Sequence, residues 1–271
     1  MKFKEYIPSF LQSLKLRFNR PYNQDGSLPT VPIVVSLTSI PSRLGTIHLT
    51  IRSLLAQSVV PKKIILWLHE DLKNKLPKTL SGLQSDCFEI NYVRLTCSHR
   101  KLIHSIKKYP DSIIVTSDDD LMYEETWLER LYATHEKYPE DIIAHECRLL
   151  TRDSNGTLLP YKQWSPDVKP GESSGNLLFI GYGGVLYPPN SLYKDTTNEK
   201  LFLKLTPKAD DLWFKAMAHL QGTEVRRSEN PQPKPTPIIG SQKFALGDDN
   251  IKKDLNVSQW KCLEEFYSIK I

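Results

Sequence analysis

The chain of 271 residues is long enough to bury one sizeable hydrophobic core, and its 39% hydrophobic and 25% charged residues exclude a disordered composition. Its formal net charge of +5 is modest and its basic residues lie among acidic ones, so we expect no nucleic-acid partner. We expect one folded domain over residues 31–271, preceded by an N-terminal segment and connector over residues 1–30.

Cysteine usage and hydrophobic runs bear on localisation. The four cysteines show no metal-binding or redox spacing, and nothing resembling a secretory signal precedes them. No apolar run reaches the roughly 18 residues that a membrane-spanning helix needs. We therefore expect a cytoplasmic protein, either soluble or peripheral on the inner face of the cytoplasmic membrane.

Residues 2–20 place apolar side chains at helical spacing between lysines and arginines, with Pro8 interrupting the first turns. This pattern is typical of a basic amphipathic helix that lies on an anionic membrane surface. A helix packed on the domain's own surface is the alternative.

Short apolar runs alternate with helical patterns through the first half of the chain. Strands are predicted at 31–38, 63–69, 88–95, 113–117, 141–150 and 177–187, and helices at 45–57, 72–84, 101–108, 124–138, 212–220 and 260–267. Residues 151–176 are predicted to be an irregular excursion outside the core. This alternation predicts an α/β fold with a mainly parallel central sheet flanked by helices, which binds ligands at the carboxyl edge of its strands.

Three consecutive carboxylates, Asp118, Asp119 and Asp120, follow the predicted strand that begins at Ile113. One aspartate can cap a helix, but three are more than a cap needs. A structural calcium loop is a weaker interpretation, because the ligand spacing of an EF-hand is missing. A catalytic Mg²⁺ or Mn²⁺ that bridges phosphates fits best, because such ions take one or two carboxylates and complete their shell with water and phosphate oxygens.

Other polar groups are predicted to lie near the same edge. Thr38, Ser39 and Arg43 follow the first strand, although Arg43 can equally be a solvated surface charge. Asp210 and Asp211 open a helix, where they can act as an N-cap pair or as a catalytic base.

Two further motifs have both a structural and a functional interpretation. Gly181, Gly183 and Gly184 permit a bulge or a tight turn, or leave room for a ligand. Arg100 and Lys101 can reach a phosphate or form a solvent-facing basic turn.

Taken in this order, the triple aspartate, the Gly-x-Gly-Gly motif and the Ala-Asp-Asp-Leu-Trp helix start resemble the GT-A class of nucleotide-sugar glycosyltransferases. The resemblance covers about residues 31–260 and is closest to family 2-like enzymes of bacterial cell-surface polysaccharide synthesis, such as lipopolysaccharide synthesis. It implies a single-domain, Rossmann-like GT-A fold. It also implies metal-dependent, inverting transfer of a sugar from a nucleotide-sugar, such as a UDP-sugar, to a hydroxyl of a glycan or lipid-linked saccharide.

The resemblance also implies roles for individual residues. The metal, Mn²⁺ or Mg²⁺, would be held by Asp120 with Asp118, and the register along the three aspartates stays open by one residue. Asp211 would be the catalytic base, with Asp210 as the alternative. The nucleotide-sugar would contact Thr38, Ser39, Arg43, Lys101, Asp118, Asp119, Gly183 and Gly184. The family often adds a third metal ligand from near the C-terminus; Asp248, Asp249 and Asn250 lie in that region, but the resemblance does not assign one of them.

Two other function classes stay open. A sugar-phosphate nucleotidyltransferase shares the sheet and the acidic site, but it carries a long Gly-rich loop after its first strand, whereas residues 38–45 hold one glycine. A non-catalytic carbohydrate-binding protein would explain Tyr161 and Trp164 as stacking platforms, but not a parallel nucleotide-type sheet. Packing of these two aromatic residues against the core is the alternative.

Overall fold

The computed structural model of the chain describes residues 3–18, 27–241 and 254–271. The strands of the described residues are β1 (Thr30–Thr38), β2 (Val60–His69), β3 (Phe88–Val93), β4 (Ile113–Thr116), β5 (Leu121–Met122), β6 (Ile142–Ala144), β7 (Cys147–Leu149), β8 (Leu177–Phe179), β9 (Val185–Tyr187), β10 (Val225–Arg227) and β11 (Thr236–Pro237). The α-helices are α1 (Tyr6–Phe18), α2 (His48–Leu55), α3 (Lys78–Ser81), α4 (Arg100–Lys108), α5 (Trp127–Lys137), α6 (Glu199–Leu205), α7 (Asp210–Gln221) and α8 (Leu255–Tyr267).

Seven of the described strands form one sheet in the order β10-β6-β9-β4-β1-β2-β3. Strand β1 pairs in parallel with β2 on one side and β4 on the other, while β9 runs antiparallel between β4 and β6. The central strands read as continuous apolar runs because both of their faces are covered. The predicted mainly parallel α/β fold is confirmed.

Side chains of β1 alternate between two hydrophobic layers. Val34 faces the layer that contains Leu102 of α4 and Trp213 of α7. Val35 faces the opposite layer, which contains Ile51 of α2 and Leu128 of α5. Helices therefore cover both faces of the sheet, and the strand ends stay free to form a site.

Several predicted elements are interrupted. The strand predicted at 141–150 is two strands, β6 in the main sheet and β7 in a ribbon with β8, and the strand predicted at 177–187 is divided by a turn at Gly181–Gly183. The helix predicted at 72–84 is wrong over most of its length. Pro77 precedes the short α3, and proline disfavours helical conformation in the residue before it.

The predicted excursion at 151–176 has little regular structure, as expected, but it contributes to the core. Leu158, Trp164 and Val168 are all buried. The indole Nε1 of Trp164 donates to the carbonyl oxygen of Leu159 at 2.7 Å, so the core-packing alternative is confirmed for this residue. Tyr161 is half-buried beside it.

The N-terminal helix packs on the domain's own surface, which was the alternative prediction for residues 2–20. It begins at Tyr6 and ends at Phe18, with Pro8 in its first turn, where a missing backbone N–H costs little. Residues 19–26 of the predicted connector lie outside the described residues. No helix among the described residues is both long and apolar enough to cross a membrane.

Candidate active site at the carboxyl edge of the sheet

The ends of β1 and β4 meet at one edge of the sheet. Ser36 is in register with Thr116, and the Ser117 backbone N–H donates to the Ser36 carbonyl oxygen at 3.1 Å. The segment that follows each strand therefore enters the same region. The predicted proximity of Thr38–Arg43 and Asp118–Asp120 is confirmed by direct contacts between the two segments.

Arg43 is the internal counter-ion of two aspartates. Its guanidinium pairs with Asp119 and lies 3.0 Å from the Asp120 carboxylate, and its Nε donates to the Ser241 carbonyl oxygen at 3.1 Å. Burial opposes the charge on Arg43, but Asp119 and Asp120 outweigh it and raise the pKa of the guanidinium. With 12% of its side chain exposed, Arg43 is not the solvated surface charge that the sequence left open.

Asp119 is held by neighbouring residues through both its side chain and its backbone. Its carboxylate accepts from the Ser39 hydroxyl and from Arg43, and its side chain is 6% exposed. Its backbone carbonyl oxygen accepts from the Thr50 hydroxyl at 3.1 Å. These contacts fix the position of Asp119 and thereby hold its sequence neighbours, Asp118 and Asp120, in place.

Lys101 joins the segment Asp118–Asp120, which we call the aspartate loop, to helix α7. Its Nζ atom lies 3.0 Å from Asp118 Oδ1 and 3.1 Å from Asp210 Oδ2, and its side chain is 7% exposed. Burial favours the neutral amine, but Asp118 and Asp210 raise the pKa of Lys101 well above its usual value. Asp118, at 33% exposed, is the most accessible side chain of the three consecutive aspartates.

Arg100 holds the end of β1. Its guanidinium donates to the Thr38 hydroxyl, to the Ser39 carbonyl oxygen and to the Leu95 carbonyl oxygen, the last at 2.9 Å. Both Arg100 and Lys101 are buried, so the alternative of a solvent-facing basic turn is wrong. The hydroxyl of Thr38 also donates to the Trp67 carbonyl oxygen at 2.9 Å. The Thr38 side chain is therefore hydrogen-bonded within the protein.

Asp210 and Asp211 occupy the first turn of α7, after Ala209 at the N-cap position, and neither caps the helix. Asp210 Oδ1 accepts from the Ser98 hydroxyl at 2.8 Å. Asp211 Oδ2 accepts from the backbone N–H of Gly181 at 2.9 Å. The prediction that one of the pair is an N-cap is wrong, because each carboxylate is held by another segment of the chain.

The two carboxylates of this pair have opposite pKa shifts. Burial disfavours the charged form of Asp210, but Lys101 outweighs it and lowers the pKa of that carboxyl. Burial and the neighbouring Asp210 charge raise the pKa of Asp211 to about 7. Separated pKa values of this kind distinguish a permanently charged group from one that exchanges protons near neutral pH.

The edge of the sheet is rich in negative charge. Among the described residues, Arg43 and Lys101 form ion pairs with four of the carboxylates at this edge, Asp118, Asp119, Asp120 and Asp210. Burial, together with the nearby charge of Asp118, raises the pKa of Asp120 to about 7.

The carboxylates at this edge fit a hard divalent cation that takes its remaining ligands from phosphate and water. In the described parts of the chain, no group of three or more His, Cys, Asp or Glu side chains is arranged to hold a metal ion. Mg²⁺ and Mn²⁺ in phosphate sites need one or two carboxylates. Asp118 and Asp120 can supply these, whereas each carboxylate oxygen of Asp119 already accepts from Ser39 or Arg43. The candidate region for a third ligand, Asp248–Asn250, lies outside the described residues.

The glycine motif is explained by close packing. A Cβ atom at Gly181 would lie 2.6 Å from Asp211 Oδ1. Gly184 has φ +100°, and a Cβ there would lie 2.5 Å from the ring of Trp127. The Gly183 carbonyl oxygen accepts from Trp127 Nε1 at 2.7 Å. Contact of Gly183 and Gly184 with a nucleotide-sugar stays a prediction, while Gly181 lies next to the candidate base.

Sequence reasoning missed residues that position the acidic groups. The Tyr123 hydroxyl accepts from the Asp118 backbone N–H at 2.8 Å and donates to the Tyr182 carbonyl oxygen at 3.2 Å. Ser98 orients Asp210. A tyrosine near a helix and a serine in a loop carry no local signal for these roles, and the Tyr182 and Asp210 partners come from distant segments of the chain.

His145 has a structural role. Its Nδ1 accepts from the Gln232 backbone N–H at 3.1 Å, so its Nε2 carries the proton and donates to the Trp127 carbonyl oxygen at 2.9 Å. Burial lowers the pKa of His145 to about 4, which keeps the ring neutral at neutral pH.

The fold and the site together define an α/β protein with a cluster of acidic side chains at the carboxyl edge of a mainly parallel sheet. No protein-family model matches the chain, and no curated protein matches it significantly. The similarities found are to solved structures.

Residues 1–349 of TarS from S. aureus are 12% identical, with 88% of this chain and 73% of that chain covered and a TM-score of 0.48. CMP:2-keto-3-deoxy-manno-octonic acid synthetase in complex with CTP is 11% identical over 88% of this chain and 99% of that chain, with a TM-score of 0.46. The same TarS fragment in complex with UDP is 15% identical over 76% of this chain and 59% of that chain, with a TM-score of 0.43. These likenesses are too distant to assign a function to this chain.

Proposed function

We propose that the chain is a metal-dependent, inverting glycosyltransferase. It transfers a sugar from a nucleotide-sugar, such as a UDP-sugar, to a hydroxyl of a glycan or lipid-linked saccharide in surface polysaccharide synthesis. The observation that carries this proposal is the double ion pair of Lys101, at 3.0 Å to Asp118 and 3.1 Å to Asp210. These ion pairs bring the residues proposed to bind the metal close to the start of the helix that carries the proposed base, Asp211.

The aspartate loop forms the donor side of the site. Asp120 and Asp118 would hold Mn²⁺ or Mg²⁺ together with the diphosphate of the donor. Such an ion would stabilise the negative charge that develops on the leaving phosphate oxygen. Asp119 keeps both neighbours in place through its bonds to Ser39 and Arg43.

Helix α7 forms the acceptor side of the site. Asp211 removes the proton of the acceptor hydroxyl while that oxygen attacks the anomeric carbon and the bond to the diphosphate breaks. Gly181 N–H holds Oδ2 of Asp211, which leaves Oδ1 as the oxygen that takes the proton. A pKa of about 7 suits a base that works near neutral pH. Attack opposite to the leaving group inverts the anomeric centre.

Lys101 reduces the charge repulsion between the donor side and the acceptor side of the site. Without its charge, Asp118 and Asp210 would add to the repulsion around Asp211. Because Lys101 holds Asp210 ionised, the proton that the reaction releases goes to Asp211.

Release of nucleoside diphosphate from a panel of nucleotide-sugars, with Mn²⁺ and with a chelator, tests the proposal. We expect release from one class of donor, only with metal and with stimulation by a saccharide acceptor. Formation of pyrophosphate from a nucleoside triphosphate and a sugar phosphate would instead identify a nucleotidyltransferase. Saccharide binding with no turnover of any donor would identify a binding protein.

A further inference from the structure

Helix α1 is attached to the domain through a narrow face on which Ser9 and Leu16 are buried. Ser9 is fully buried, and its hydroxyl donates to the Pro237 carbonyl oxygen at 2.7 Å. Leu16 is buried against Met122 and Ile238. The helix therefore rests on the ribbon formed by β5 and β11.

The opposite side of α1 carries large apolar side chains that are exposed. We call this surface the outer face, and it consists of Ile7, Phe10, Leu11 and Phe18. Ile7 is 71% exposed and Phe18 is 82% exposed. At about 100° per residue, these four positions lie on the side of the helix opposite to Ser9 and Leu16. An amphipathic helix ordinarily buries its apolar side against its own domain, so this arrangement is inverted.

Basic side chains flank the outer face. By the same helical geometry, Lys15 lies along one edge of it and Arg17 along the other, and both are exposed. Lys15 is anchored at 2.6 Å from Glu125, also at the protein surface. An apolar face between two basic edges is the pattern of a helix that lies in a membrane interface. The positive edges complement a negatively charged lipid surface.

We propose that the outer face of α1 docks onto an anionic lipid surface. The apolar side chains enter the boundary between headgroups and acyl chains, while Lys15 and Arg17 contact the headgroups. The inference rests on the surface of α1 and does not depend on the proposed chemistry.

The position of α1 relates this surface to the candidate site. Strand β5 follows Asp120 directly, and the Ile238 backbone N–H, beside β11, donates to the Asp120 carbonyl oxygen at 2.9 Å. A chain bound through α1 therefore holds the aspartate loop close to the lipid surface. If the proposed function holds, this placement suits an acceptor carried on a lipid.

Co-sedimentation of the full chain with lipid vesicles tests the docking. We expect binding to mixed phosphatidylglycerol and phosphatidylcholine vesicles and much weaker binding to pure phosphatidylcholine. Phe10→Ser and Leu11→Ser should each weaken binding by about tenfold, because each removes one buried apolar side chain. Arg17→Gln should weaken it by about fivefold. Leu203→Ser, at another exposed apolar position on α6, is the matched control and should bind like the wild type.

Thermal unfolding should show that all four variants are folded, since the altered side chains are exposed. Equal binding by the α1 variants and the wild type would overturn the proposal, as would equal binding to neutral and anionic vesicles. Sedimentation velocity provides a second measurement. Self-association that Phe10→Ser abolishes, with no vesicle binding, would assign the outer face to a second copy of the chain. Absence of both vesicle binding and self-association would also overturn the proposal.

Discussion

The Nζ atom of Lys101 lies 3.1 Å from Oδ2 of Asp210, and this ion pair connects the start of α4 to the start of α7. The same Nζ atom lies 3.0 Å from Asp118, beyond the end of β4. One buried cation thus fixes the distance between two acidic segments that are about a hundred residues apart in the chain. Because Lys101 pairs with both carboxylates, the geometry and the electrostatics of the site depend on it.

Replacement of Lys101 by methionine should destabilise the fold and abolish activity. The substitution leaves Asp118 and Asp210 without their shared cation, and breaking a buried ion pair costs about 3–5 kcal/mol. The free energy of unfolding, measured by urea denaturation at pH 7.5, reports the loss.

Lys215 provides a matched control, because it is also buried on a helix. Its pKa is lowered to about 8 by burial, which means that the fold does not favour its charge. Lys215→Met should change the free energy of unfolding by about 1 kcal/mol or less. Similar costs for both substitutions would show that Lys101 contributes through packing and not as a counter-ion.

Asp211→Asn should remove turnover and preserve donor binding. The amide oxygen of asparagine can still accept from Gly181 N–H, so the local structure is kept while the base is lost. We expect kcat to fall by about 10³-fold, with KM for the donor nearly unchanged. Steady-state kinetics measure both quantities, and Asp167→Asn, at an exposed position in the excursion, is the control. Full activity of Asp211→Asn would exclude this residue as the base.

The rate should depend on pH through the ionisation of Asp211. A base acts only when deprotonated, and burial together with Asp210 raises the pKa of Asp211 to about 7. At saturating donor and metal, kcat should therefore be low near pH 5.5, rise through about pH 7 and reach a plateau above about pH 8. A rate that is flat across this range, or that falls as pH rises, would contradict the assignment.

Gly184→Ala should be strongly destabilising. A residue with φ +100° strains any side chain, and the new Cβ would lie 2.5 Å from the Trp127 ring. We expect a loss of about 3 kcal/mol or more in the free energy of unfolding. Gly175→Ala is the matched control. Its Cβ would meet nothing within 4 Å, so its effect should stay within about 0.5 kcal/mol. Equal stability of the two variants would contradict the packing role of Gly184.

The general location of the candidate site could be predicted from the sequence. Apolar runs interrupted by helical patterns predict a mainly parallel sheet, and such a sheet brings the residues after its strands to one edge. The segment that contains Arg43 is therefore expected near Asp118–Asp120, because both segments directly follow strands. The contact of Arg43 with Asp119 and Asp120 comes from the structure.

The pairing of individual charges could not be predicted. Arg100 and Lys101 are adjacent in the sequence, yet Arg100 binds the end of β1 and Lys101 binds two aspartates. Their burial depends on how α4 packs against the sheet, which residue type alone does not determine. The orientation of helix α1 could not be predicted either. Periodicity identified its apolar side, but not whether that side faces the domain or the solvent.

Metal-supported nucleotide binding tests the central claim most directly. Calorimetric titration of the wild type with UDP should show binding in the presence of Mn²⁺ and little binding in its absence. Asp120→Asn and Asp118→Asn should each abolish the metal-supported part, while Asp211→Asn should bind like the wild type. Binding that is independent of Mn²⁺, or that survives both substitutions in the aspartate loop, would contradict the account.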